Sequence, residues 1–79
     1  MRLDKFLKVS RVIKRRTVAN DACGAGRVSV NGKVAKASAE IKPGDIIEVK
    51  FANNSMSFEV LSIKETVKKE NAEEMYRVI

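Results

Sequence analysis

The apolar positions of this chain change period partway along it. Leu3, Phe6 and Leu7 fall at i, i+3 and i+4, the spacing of one stripe on a helix. The pattern predicts a short helix ending near Val9 and Ser10. Asp4 would sit in its first turn, where a carboxylate favours the positive end of the helix dipole. Lys5 and Lys8 point away from the stripe. Val12 and Ile13 anchor a connecting turn, and a second helix is predicted from about Arg15 to Cys23, with Val18, Ala19 and Ala22 inward. Gly24 or Gly26 would end it, since glycine accepts the left-handed C-cap conformation cheaply.

From Arg27 the period becomes two. Arg27 to Val30 alternates, Asn31-Gly32 follows, and then comes Lys33-Val34-Ala35-Lys36. Asn-Gly between alternating runs is the strongest short hairpin signal, because a type I′ turn needs positive φ at both positions. Val28, Val30 and Val34 are expected to face the helices, with Lys33 and Lys36 outward. Pro43-Gly44-Asp45 marks another turn. Strands are predicted over Ile46 to Phe51, with Ile47, Val49 and Phe51 or their neighbours inward, and over Met56 to Ile63, with Phe58 and Val60 inward. Asn53-Asn54-Ser55 would join them. Ala72, Met75 and Tyr76 have helical spacing, predicting a short C-terminal helix from about Lys69 to Tyr76. The expected fold class is α+β, two short N-terminal helices packed on a small, mostly antiparallel sheet. The expected organisation is one domain over residues 1–64 and a tail over residues 65–79.

Charge sharpens this picture. The 79 residues carry 16 Lys+Arg and 10 Asp+Glu, a net of +6. The excess is one-sided: residues 1–36 hold ten bases and two acids, and residues 37–79 hold six bases and eight acids. A polarised basic field suits a polyanion, with nucleic acid the first candidate and an anionic membrane the second. No apolar run approaches the roughly 18–20 residues of a membrane helix, and no signal peptide is expected. The single cysteine, Cys23, lies among small residues and is expected as a packed thiol in a reducing cytoplasm.

The chemistry of enzymes is sparse here. There is no histidine and only one cysteine, so the usual zinc spacings are absent. No nucleophile elbow, P-loop or dinucleotide-binding glycine pattern occurs. A non-catalytic protein without metal or cofactor is expected. The alternative of a base-reading helix-turn-helix is disfavoured, because the start of its second helix is nearly all cationic. Cations contact phosphates, which position a protein without reading sequence. Arg15 and Arg16 at a helix start oppose the helix dipole. Free backbone N–H groups beside arginines would, however, make a stronger anion site. The predicted mode is shape recognition of a structured RNA.

The ordered string Met1-Arg2-Leu3-Asp4-Lys5-Phe6-Leu7, Arg11, Lys14-Arg15-Arg16-Thr17, Ala19, Gly26, Val28, Val30-Asn31-Gly32, Lys36 and Gly44-Asp45 resembles the S-four-type RNA-binding domain, also called the alpha-L motif. The resemblance covers about residues 1–50. Stand-alone members of this size form the heat-shock-protein-fifteen group and the RqcP group of ribosome-associated quality control. The run Lys68 to Tyr76 is similar to the second. That resemblance implies a cytoplasmic, monomeric factor on the large (50S) ribosomal subunit carrying obstructed peptidyl-tRNA. It would contact 23S rRNA and the tRNA backbone, and support RqcH-dependent poly-alanine tailing of stalled chains. The heat-shock alternative implies ribosome recycling or rRNA assembly without tailing. By resemblance the RNA-binding positions are Arg2, Lys5, Arg11, Lys14, Arg15, Arg16 and Lys36. Asp4 is expected to order the arginines, and Asn31 and Gly32 to set the shape.

Overall fold

A computed structural model of the chain describes residues 1–63 and 75–79. Two helices, α1 (Leu3–Val9) and α2 (Arg16–Gly24), precede five strands: β1 (Val28–Val30), β2 (Lys33–Val34), β3 (Ile46–Lys50), β4 (Ser55–Val60) and β5 (Tyr76–Val78). The strands form one sheet in the order β2-β1-β3-β4-β5, antiparallel throughout.

Register explains the core. Val28 pairs with Val49 and Val30 with Ile47, and Ile47 pairs with Phe58. Directly paired residues share a face, so these side chains form one apolar surface, and α1 covers it with Leu3, Phe6 and Leu7, all fully buried. Phe6 stacks on Phe58 at a centroid distance of 6.4 Å, and Tyr76 meets Phe58 edge-on at 5.4 Å. On the opposite, solvated face, Arg77 pairs with Glu59 at 2.6 Å across β4 and β5.

Two turns hold the parts in place. Gly26, at φ 75°, closes α2: its N–H donates to the Cys23 carbonyl and that of Arg27 to the Ala22 carbonyl. This is the paired bonding of a Schellman cap. Asn31 (φ 53°) and Gly32 (φ 85°) make the type I′ hairpin. The Asn31 side chain reaches further. Its Nδ2 donates to Asp45 Oδ1 at 3.2 Å, and its Oδ1 accepts the Ile46 N–H at 2.9 Å. One side chain therefore ties the hairpin tip to the start of β3.

Several expectations are corrected. Val34 is 67% exposed: the two-residue turn sets it opposite Ser29, on the face away from Val28. Val18 is also exposed, because α2 turns Arg16 and Asn20 toward α1. Helical residues advance about 100° each, so Val18 lies on the far side from both. Phe51 is exposed beyond the end of β3. The helix expected over about Lys69 to Tyr76 lies mostly outside the described residues, and Tyr76 itself opens β5, pairing with Val60.

Candidate nucleic-acid interface

The candidate face is assembled around a buried carboxylate. The segment after β2 runs beside the N-terminus. The Leu3 N–H donates to Ala39 O at 2.8 Å, the Asp4 N–H to Ala37 O at 3.2 Å, and the Ile41 N–H to Met1 O at 3.0 Å. Carbonyls of this strap thus satisfy amides at the start of α1 that no side chain caps. They also bring Lys36, next to Ala37 and exposed, to the start of α1.

Asp4 is 2% exposed. A carboxylate buried alone would be driven toward its neutral form. Here Asp4 Oδ1 accepts the Lys5 N–H at 2.8 Å. Arg2 Nε lies 3.3 Å from Oδ1, and Arg16 Nε lies 3.5 Å from Oδ2. Burial pushes the Asp4 carboxyl up, but the Lys5 amide, the Asn20 side chain and the Arg16 guanidinium outweigh it, holding the group below its ordinary value. Arg2 and Arg16, far apart in sequence, meet on one ionised group.

These contacts position the arginines without using them up. They are longer than the roughly 2.7–2.9 Å of strong charge-assisted bonds. The Arg2 and Arg16 side chains stay 48% and 49% exposed, so each guanidinium keeps donors in water. One acid facing two arginines also leaves the cluster positive.

Beside it stands the start of α2. Arg15 is its N-cap residue, no side chain caps it, and no acid lies in its first turn. The leading amides of the helix therefore open to solvent among Arg15, Arg16 and Thr17, all exposed. Lys14 and Arg11 are exposed on the connection between the helices. Arg11 adopts φ 65°, a left-handed conformation uncommon for a residue with a side chain. The Ser10, Arg11 and Ile13 N–H groups donate to Phe6, Lys8 and Leu7 carbonyls, which fixes that turn. Lys5 is half-buried beside Asp4.

Asn20 is the member that sequence reasoning missed. It stands four residues after Arg16, on the same side of α2, and that spacing would have revealed it once the helix orientation was known. Cys23 is buried beneath. Desolvation first, and then the Asp4 charge, push its thiol up, so it stays an uncharged packing group. Among the described residues, no helix is long and apolar enough to cross a membrane.

Known proteins match this architecture. The chain belongs to the S4 domain family, whose model matches residues 1–47, the two helices, the hairpin and the start of β3. It is 52% identical over 79 residues to the RQC P-site tRNA stabilizing factor of Bacillus subtilis, covering 100% of this chain and 92% of that one. The protein of the same name from Streptococcus pneumoniae is 51% identical, with 100% and 90% covered. The trimeric structure of Vibrio cholerae Heat Shock Protein 15 superposes with a TM-score of 0.91 at 28% identity, covering 100% of this chain and 81% of that one.

Proposed function

We propose that this chain is a non-catalytic RNA-binding factor of ribosome-associated quality control that holds a P-site tRNA on the large ribosomal subunit. Arg2, Lys5, Arg11, Lys14, Arg15, Arg16 and Lys36 would contact tRNA and 23S rRNA backbones. The subunit would carry an obstructed peptidyl-tRNA, and binding would support RqcH-dependent poly-alanine tailing in the cytoplasm. The observation that carries this reading is the meeting of Arg2 and Arg16 on buried Asp4, beside a helix start left open to an anion. The names of the full-length relatives supply the particular RNA.

The test is sedimentation with 50S subunits that carry or lack peptidyl-tRNA, over a salt series. Neutralising about five phosphates predicts a log–log slope of several units. Arg16→Ala should weaken co-sedimentation while leaving the circular dichroism spectrum intact. Binding indifferent to salt, or equal binding to subunits without tRNA, would sink the proposal. The likeness to Heat Shock Protein 15 favours a second reading, ribosome recycling or rRNA assembly without tailing. It predicts full activity of a poly-alanine tailing reaction in this chain's absence.

A further inference from the structure

A groove of about 490 Å³ lies between the second half of α2 and the strap after β2, lined by Asn20, Cys23, Gly24, Val34, Lys36 and Ala37 among others. We propose that it is a subsite for a single unpaired nucleobase of the RNA whose backbone lies on the arginine cluster. The inference rests on the reading of that cluster as an RNA-binding face.

Three observations converge on this occupant. The first is continuity. Asn20 lines the groove, and its side chain also helps hold the Asp4 carboxyl ionised, the group on which Arg2 and Arg16 meet. The groove therefore shares a wall residue with the cluster that would hold the RNA backbone. The second is chemistry. Val34, Ala37 and Cys23 give the lining apolar surface suited to a base face. Lys36 brings a cation for the attached phosphate, and the Asn20 amide lies within the lining as a polar group. Small-molecule sites show this balance of apolar lining and a few polar groups, in volumes of about 300–1,000 Å³.

The third observation is Gly24. It is the last residue of α2, and glycine is a poorer helix former than alanine. Its φ is not positive, and a Cβ added there would meet nothing within 4 Å. Neither backbone conformation nor internal packing calls for glycine at this position. Gly24 lines the groove, and without a side chain it adds no bulk to that wall.

The experiment compares two RNA hairpins: one fully paired, and one identical except for a single bulged adenine, also made with 2-aminopurine at the bulge. Burial of the base against the apolar lining should make the full chain bind the bulged hairpin about tenfold more tightly, with a change in 2-aminopurine fluorescence on binding. Gly24→Leu should fill the groove, abolish the preference, and leave affinity for the paired hairpin and its salt slope unchanged. Gly24→Ala adds one methyl, so it should keep most of the preference and melt no lower than the parent. Equal binding of both hairpins by the parent chain, with salt dependence intact, overturns the base site and leaves the basic face standing. A folded Gly24→Leu chain that keeps the preference also overturns it. Absent or salt-independent binding to both hairpins overturns the basic face, and this subsite with it.

Discussion

Arg11→Gly should make the protein more stable and a poorer RNA binder at once. Arg11 sits at φ 65°, immediately after buried Ser10 at the end of α1. A left-handed conformation costs a residue with a side chain about 1–2 kcal/mol, and glycine removes that cost. Glycine also loosens the unfolded chain, which takes back about 0.4–1 kcal/mol. The net change is between roughly zero and +1.5 kcal/mol, centred near +0.8. For a domain of this size that centre corresponds to a rise in melting temperature of about 3–6 °C. On the binding side, the phosphate contact proposed for Arg11 is lost. The log–log salt slope against an RNA hairpin should fall by about 0.7–0.9, and affinity near 0.1 M salt by about fivefold to eightfold. Thermal melting followed by circular dichroism and fluorescence anisotropy over a salt series read the two effects separately. Arg11→Ala is the control: it removes the charge but keeps the strained backbone, so binding should fall with no gain in stability. A glycine variant that melts lower than the parent would show that the arginine stabilises the turn. One that binds RNA as the parent does would show that the charge is idle. Either result refutes the argument.

Asp4→Asn tests the carboxylate under the arginines. The folded protein holds the Asp4 pKa below its ordinary value of 3.8. Its contribution to stability is therefore present above that value and lost as pH falls through the lowered one. Acid titration of the parent should show this loss, and the asparagine variant should lack that component and bind RNA more weakly at neutral pH. The bridge made by Asn31 separates from its turn preference by comparing two variants. Asn31→Gly keeps positive φ and loses two hydrogen bonds, costing about 1–3 kcal/mol in urea melts, whereas Asn31→Ala should cost about 1 kcal/mol more for the left-handed backbone; equal costs would mean the turn conformation is not strained. Phe58→Ala removes the ring that stacks on Phe6 and meets Tyr76 edge-on. It should cost about 3–5 kcal/mol, enough to leave much of the chain unfolded at 37 °C, and a fully folded variant would deny Phe58 its central place.

Elements governed by neighbours in the chain were readable from the sequence. The stripe Leu3, Phe6, Leu7 needs only helical period to be seen. Asn31-Gly32 carries its φ preference in two adjacent residues, and so does the glycine that caps α2. The concentration of bases before residue 37 is likewise a property of composition. Each of these follows from steric preference or periodicity acting over a few residues.

Orientation was not readable that way. Val18 and Val34 are apolar and in phase with their neighbours, yet both face solvent. For Val18 the deciding fact is that Arg16 and Asn20 turn toward Asp4 in another helix. For Val34 it is a register set by the length of the hairpin turn. β5 pairs with β4 across a long stretch of sequence, so no local pattern marks it, and Tyr76 has spacing that also suits a helix. The sequence alone determined that this protein has two short helices, a hairpin and a basic first third. The tertiary structure alone decided that Arg2, Arg16 and Asn20 converge on one carboxylate, and that a groove opens beside them. The reason is physical: period and turn chemistry are local energies, whereas a buried charge gathers partners only after packing has removed the water around it.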